Sequence, residues 1–363
     1  MLLVRPDRKQ YEQTQRFLNK TFKQKFESVL PKIYCNDRFR DSHLVAVEDD
    51  KIIGAVANIP IDWRIDDMII HGAGIGMVAT HPRYRGRGVM KSLLDQAIER
   101  CKQDGTQVVF LSGYLDRYKR FGFYPSGIEN LYTLRADKGC VDKAQDYTFE
   151  LLKGERKEIE TLRSIYEQQA VRWERKDFFD TLCTWKSKAY IVKKSGHVLG
   201  YLVKNRYGAD ISEIVVPTQE LVATTTAWII RNNKDSVKVC VSPYDMHANE
   251  ELILHSENYC QINAENWLIL DYTGVIETLL RAKVKRQKVA SGRAVLQIDD
   301  AKYLISVDGD NVDVTQSDGQ ADIALTKEQA TRLLFGPKIV ACENSWIDTI
   351  LPLPIYIPSI DRV

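Results

Sequence analysis

The chain has 363 residues, 44% of them hydrophobic and 28% charged, with Lys+Arg 51 against Asp+Glu 49. That apolar share excludes a disordered chain, and a net charge of +2 argues against a general polyanion binder. No apolar run approaches the ~20 residues of a membrane span, and Met1-Leu2-Leu3-Val4 meets Arg5, Asp7, Arg8 and Lys9 before a secretion-signal core forms.

These features lead us to expect no membrane partner and a cytoplasmic location. The seven cysteines are odd in number and contain no Cys-x-x-Cys pair, which points to reduced thiols rather than a disulfide framework. His247-x-x-Glu250 is too sparse for a metal site, so no metal is expected. The length suits two or three domains.

In chain order, Tyr11 to Val29 reads as helical. His43–Val47 and Ile52–Ala57, divided by Asp49-Asp50, read as a hairpin, and Met68 to Thr80 as a further strand. Val89, Met90, Leu93, Leu94, Ala97, Ile98 and Cys101 then form one apolar helical face, with Gly105 placed to end it. Val108 to Leu111 is a buried strand, and Asp116 to Arg120 a short helix stopped by Gly122.

The succession of helix, hairpin, strand, helix and strand recurs between Tyr147 and Val241, which points to a duplicated fold. From Asn266 a helix around Val275 to Ala282 leads into strands separated by Asp299-Asp300, Asp308-Gly309-Asp310 and Asp318-Gly319. Thr326 and Gln329 form a capping box. Pro352, Pro354 and Pro358 make the tail extended. The basic run Arg281, Lys283, Lys285, Arg286, Lys288 and Arg293 has no interleaved aromatics; it reads as a charged helix end, and no nucleic-acid partner is expected.

The densest chemical signal is Val78-Ala79-Thr80-His81-Pro82-Arg83-Tyr84-Arg85-Gly86-Arg87-Gly88-Val89-Met90, between a strand and the best amphipathic helix. Unpaired N–H groups and partial positive charge at a helix start, glycines that permit close backbone approach, and three arginines together suit a pyrophosphate. The spacing is neither that of a P-loop nor of the dinucleotide Gly-x-Gly-x-x-Gly, since position 77 is Met.

Arg83-x-x-Gly86-x-Gly88 after an apolar strand resembles the acyl-CoA loop of the GNAT acetyltransferase superfamily. The resemblance implies acetyl-CoA as cosubstrate. It would be held by Val78, Ala79, Thr80, Arg83, Arg85, Gly86, Arg87, Gly88, Val89 and Met90, and by Ser112 and Gly113 at the end of the next strand. Tyr118-Lys119-Arg120-Phe121-Gly122-Phe123 looks like the helix that carries the superfamily's general acid, here Tyr118, and the backbone N–H of Val78 would meet the oxyanion.

The whole chain resembles the enhanced-intracellular-survival (Eis) family. That implies an α/β (α+β) architecture of two tandem GNAT-like mixed-sheet domains, 1–137 catalytic and 138–264 degenerate, followed by a sterol-carrier-like α/β domain at 265–363. Asp271-Tyr272-Thr273-Gly274-Val275 and Asp322-Ile323-Ala324-Leu325-Thr326 carry the likeness of the third domain. The second copy has Pro217-Thr218-Gln219-Glu220 where the loop would be, without glycine or arginine, so one CoA site per chain is expected.

The family's general base is its C-terminal carboxylate, which here would be Val363; Asp361 or a water relay are the alternatives. The family further implies a homohexamer. The acceptors expected are primary amines of small molecules, polycationic, aminoglycoside-like ones among them. Asp37, Asp41, Glu48 and Trp63 lie in segments that could line the acceptor cleft. The competing readings are a lysine acetyltransferase and a non-catalytic acyl-CoA sensor or carrier of apolar ligands.

Overall fold

The computed structural model describes residues 1–138, 141–205, 210–338 and 341–363. Its strands are β1 (Leu2–Val4), β2 (His43–Glu48), β3 (Lys51–Ile65), β4 (Met68–Thr80), β5 (Val108–Leu111), β6 (Tyr124–Ser126), β7 (Glu129–Arg135), β8 (Tyr147–Leu151), β9 (Val171–Trp173), β10 (Lys188–Lys194), β11 (His197–Lys204), β12 (Ile211–Val215), β13 (Ser236–Val241), β14 (Asn258–Ile262), β15 (Glu265–Ile269), β16 (Gly292–Ile298), β17 (Ala301–Asp308), β18 (Asn311–Gln316) and β19 (Ile323–Leu325).

The first sheet runs β1-β2-β3-β4-β5-β15-β6, with β9 added beside β3. Its spine is the long β3–β4 hairpin, closed by Asp66-Asp67 with Asp66 in the left-handed region (φ 56°) that tight hairpin turns need. One face carries the helix α4 (Val89–Gln103), whose Val89, Leu93, Leu94, Ala97 and Cys101 are buried. Gly54 makes room for it, since a β-carbon there would stand 2.6 Å from Val89 Cγ1. The other face is covered by α1 (Arg8–Phe22), α2 (Phe26–Val29) and α3 (Pro31–Tyr34), and by a stack of Trp63 on Trp173 with ring centroids 5.5 Å apart.

The second sheet runs β14-β7-β13-β12-β11-β10-β8. Its β10–β11 hairpin, antiparallel β12 and parallel β13 repeat the order of β2–β3, β4 and β5, with the helix Leu221–Arg231 as the second crossover. The expected duplication is therefore present as topology.

Sheet membership departs from the expected boundaries at both joints. β7 lies within 1–137 yet pairs with β13 and β14 of the second sheet, while β15 falls after 264 yet pairs with β5 and β6 of the first. The two sheets have exchanged strands, because a strand joins whichever edge offers register and apolar cover, not the nearest in sequence. The third sheet, β18-β17-β16-β19, packs under the helix Tyr272–Arg286.

The basic run along that helix is engaged. Arg281 pairs with Glu277, Lys283 donates to Ile350 O, Lys285 pairs with Asp67, and Arg286 with Asp66. No helix among the described residues is long and apolar enough to cross a membrane.

Candidate active site

β4 ends at Thr80, and the chain reaches α4 through a turn at Pro82–Tyr84 and then Arg85 to Gly88. Gly86 and Gly88 hold φ of 76° and 77°, the left-handed region that side chains resist. A β-carbon at either would meet nothing within 4 Å, so glycine is required there by backbone shape alone.

Gly88 is the N-cap of α4, and no side chain caps the helix. Its first-turn N–H groups therefore face outward with the helix's positive end behind them. Arg83, Arg85 and Arg87 are exposed around this turn; Arg87 reaches Glu48 (3.2 Å) and lies over the Tyr84 ring. Val89 is buried on the core side and Met90 half-buried. This arrangement fits an anionic phosphate ligand.

The strand leading into the loop is bulged. Ala55 faces Ala79 and Ala57 faces Gly76, so Val56 alone opposes Met77 and Val78, and Met77 takes φ 51°. A bulge breaks the ladder and re-aims backbone groups; a non-glycine residue in this region costs about 1–3 kcal/mol. β4 and β5 pair only at Gly72–Val108, Ala73–Val109 and Gly74–Phe110. Beyond Gly74 the two parallel strands diverge. By that register Ile75, Gly76 and Met77 come level with Leu111, Ser112 and Gly113 where pairing has stopped, and Val78 to Thr80 follow further along β4.

Tyr118 ends the short helix α5 (Leu115–Tyr118). Its ring packs edge-on to Phe123 and against Gly113, where a β-carbon would stand 2.8 Å from Tyr118 Cε2. Burial raises its pKa, so the phenol stays protonated at neutral pH, as a proton donor must. Ser112 is engaged within the protein, its hydroxyl donating to Glu265 Oε1 at 2.8 Å, and Gly113 O accepts from Asn266 Nδ2 at 3.1 Å.

The tail is extended as expected and buried along most of residues 351–363, gripped from all three segments. Leu353 N donates to Leu334 O, Tyr244 Oη to Pro354 O, Ile128 N to Ile355 O, Trp173 Nε1 to Tyr356 O, and Lys32 Nζ to Ile360 O. Val363 ends against β4. A β-carbon at Gly74 would lie 2.5 Å from Val363 Cγ2, and one at Gly76 would lie 3.0 Å from its carboxyl carbon.

Asp361 is ruled out as a free base: both its oxygens accept from Arg175, at 3.0 and 2.7 Å, inside the core. Arg362 pairs with Glu129 at 2.5 Å and Glu265 at 3.2 Å; burial pushes both carboxyl pKa values up, against the pull of Arg362.

Beside Val363 lies a cavity of about 80 Å³, lined by Ile33, Phe39, Ile59, Ile61, Asp62 and Glu174 among others. Two of its rim carboxylates pair with arginines, Glu174 with Arg64 and Asp177 with Arg38, and Asp62 Oδ1 lies 2.9 Å from His71 Nδ1. Of the residues considered for the cleft from sequence, Trp63 is in the core stack and Glu48 serves Arg87.

Sequence reasoning missed Gly74 and Gly76 as a landing place for the tail. Glycines two apart on one strand face were the available signal, because they admit another backbone at close range. Nothing local to Arg175 or Glu265 marks either residue.

In the second sheet, β12 and β13 pair at Ile211–Val239 and also diverge. The turn that follows places Glu220 before the helix, accepting from Tyr147 Oη and Lys194. A carboxylate at that position is the wrong charge for a phosphate.

Residues 5–126 match the family described as acetyltransferase (GNAT) domain. The uncharacterized N-acetyltransferase YhbS of Escherichia coli K12 is 30% identical over 107 residues, 29% of this chain and 63% of YhbS. The chain thus spans less than two thirds of the curated relatives it matches. A GCN5-related N-acetyltransferase from Kribbella flavida shares the fold at a TM-score of 0.65 and 18% identity, over 91% of this chain and 88% of that one. A probable N-acyltransferase from Enterococcus faecalis V583 does so at 0.65 and 15%, over 92% and 89%. Eis1 from Mycobacterium abscessus does so at 0.64 and 14%, over 90% and 88%. At such identities the likeness is one of fold.

Proposed function

From a chain whose residues 5–126 form a GNAT acetyltransferase domain within an Eis-like fold, we propose an acetyl-CoA-dependent N-acetyltransferase acting on primary amines by direct transfer. The observation that carries the reading is the uncapped start of α4 with two left-handed glycines, opening onto the crack between β4 and β5.

In this reading the loop amides from Gly86 to Met90, with Arg83, Arg85 and Arg87, hold the pyrophosphate, and Val78 to Thr80 line the arm of the cosubstrate. The Val363 carboxylate takes the proton from the attacking amine. As the new C–N bond forms, the thioester oxygen gains charge and the Val78 N–H in the bulge donates to it. When the C–S bond breaks, Tyr118 gives its phenolic proton to the departing thiolate.

The acceptor class follows less from charge than from size. A cavity of about 80 Å³ whose Glu174 and Asp177 already pair with arginines favours the slim alkyl arm of a primary amine over a polycationic ring. An aminoglycoside-like acceptor is therefore the weaker form of the proposal. Assembly as a homohexamer in a cytoplasmic setting completes it, the first checked by solution mass.

The test is thiol release from acetyl-CoA with diaminoalkanes, lysine peptides and aminoglycosides. Turnover with any of them supports the reading. Tight acetyl-CoA binding without thiol release from any amine would replace it by an acyl-CoA sensor.

A further inference from the structure

Arg175 is the most completely used side chain near the candidate site. It lies between β9 and the helix Phe178–Leu182, with its side chain 1% exposed. Its Nε donates to Asp361 Oδ1 (3.0 Å) and its Nη2 to Asp361 Oδ2 (2.7 Å). On its other side Nη1 and Nη2 donate to the two oxygens of Glu213 at 2.8 and 2.6 Å, and Nη1 also reaches Tyr201 Oη at 3.3 Å. All five N–H donors of the guanidinium are occupied. The group also lies over the Tyr166 ring, 4.1 Å from its centroid.

Burial opposes the guanidinium's charge, but the facing Asp361 and Glu213 outweigh it and hold the group charged. Glu213 belongs to β12 and Tyr201 to β11, so the anchor is the second sheet. Asp361 is two residues from Val363, which rests on Gly74 and Gly76 of the first. A second grip falls on the next residue, where Arg362 meets Glu129 and Glu265, and Glu265 in turn holds Ser112 at the end of β5.

Taking the Val363 carboxylate as the base, as proposed above, we infer that Arg175 is a positioning residue: by gripping Asp361 with a planar fork it sets how far the last residues reach toward β4. The second GNAT-like copy, which lacks a phosphate loop, thereby takes part in the reaction of the first. The fork matters as much as the charge. A lysine is a single point charge on a flexible stem and cannot hold both Asp361 oxygens in a plane.

The test is steady-state thiol release by the full chain with acetyl-CoA and the panel amine that the wild type turns over fastest. It compares Arg175→Lys, Asp361→Asn and a variant extended by several residues past Val363, singly and combined. Melting and acetyl-CoA titration establish that each variant is folded and binds its cosubstrate. Should Arg175→Lys not fold, Asp361→Asn carries the test alone, since it keeps the side-chain shape.

Each single substitution is expected to lower kcat about 10- to 10²-fold, the effect of a displacement near 1 Å, with the KM for acetyl-CoA within about 2-fold. In the extended background the same substitutions should cost nothing further, because residues acting through one group are not additive. Folded, cosubstrate-binding variants with wild-type kcat, beside an inactive extended variant, would overturn the inference while leaving the base reading standing. An extended variant with full activity would remove the base reading and this role with it.

Discussion

Replacing Gly74 by alanine tests the landing place of the tail directly. The added methyl would stand 2.5 Å from Val363 Cγ2, 2.7 Å from Phe110 Cζ and 2.9 Å from Phe110 Cε2, whereas carbons in contact sit about 3.5–4.0 Å apart. Roughly 1 Å of overlap must be relieved. Phe110 is 1% exposed and wedged between Trp173 and Trp267, with ring centroids at 6.0 and 5.5 Å, so the tail is the softer neighbour.

Overpacking of this kind costs about 1–3 kcal/mol of stability. A displacement of about 1 Å at a reacting group costs about 10²-fold in rate. The expected result in thiol-release kinetics is a kcat lower by about 10²-fold, with the KM for acetyl-CoA little changed. Gly292→Ala is the control: its β-carbon would meet Trp346 Nε1 at 2.3 Å in the third sheet, and it should lower the melting temperature while sparing kcat. Wild-type kcat in a folded Gly74→Ala protein would refute the placement of Val363 in the reaction.

Other substitutions probe other parts. Tyr118→Phe should lower kcat about 10²–10⁴-fold while calorimetric affinity for acetyl-CoA is kept; unchanged turnover would dismiss the acid role. Gly88→Ala meets no atom but must leave or strain a φ of 77°, a cost of about 1–2 kcal/mol. The exposed loop should relax rather than unfold, so acetyl-CoA affinity should fall roughly 5–30-fold with little change in melting.

His43 is buried and neutral, its Nδ1–H donating to Phe39 O at 2.7 Å and its Nε2 accepting from Tyr34 Oη at 3.0 Å, and burial lowers its pKa from 6.5 to about 4. Below pH 6.5 the unfolded chain binds a proton that the folded chain refuses until about pH 4, so stability declines as pH falls through that window. Urea melts at pH 7 and pH 4.5 should show a drop that His43→Phe lacks; equal slopes in the two proteins would contradict this.

The shape of the Gly86–Gly88 turn was legible because its requirements are local. A strand end, two glycines and a helix start are contiguous, and each position answers to its own backbone. The short helix that Tyr118 ends was legible for the same reason, four residues before the stop at Gly122. The exchange of β7 and β15 was not. Leu268-Ile269-Leu270 shows as an apolar run, but which sheet accepts it depends on the open edge of β5, 150-odd residues earlier. Glu129–Arg135 alternates in burial as an ordinary strand does, and nothing in it names β13 as its partner. The anchorage of the tail was invisible for a related reason. Arg175 and Asp361 are 186 residues apart, and an ion pair at that separation leaves no spacing to read.

The strand exchange also bears on how the protein is made. β5 emerges from the ribosome with only β4 beside it, and its other edge waits for Glu265–Ile269. At about 5–20 residues per second that wait is roughly 8–30 s. Throughout it, an unpaired edge of Val108-Val109-Phe110-Leu111 is offered to any other strand in reach. The first domain is thus synthesised early but completed late, and a fragment cut after residue 137 would present that open edge permanently.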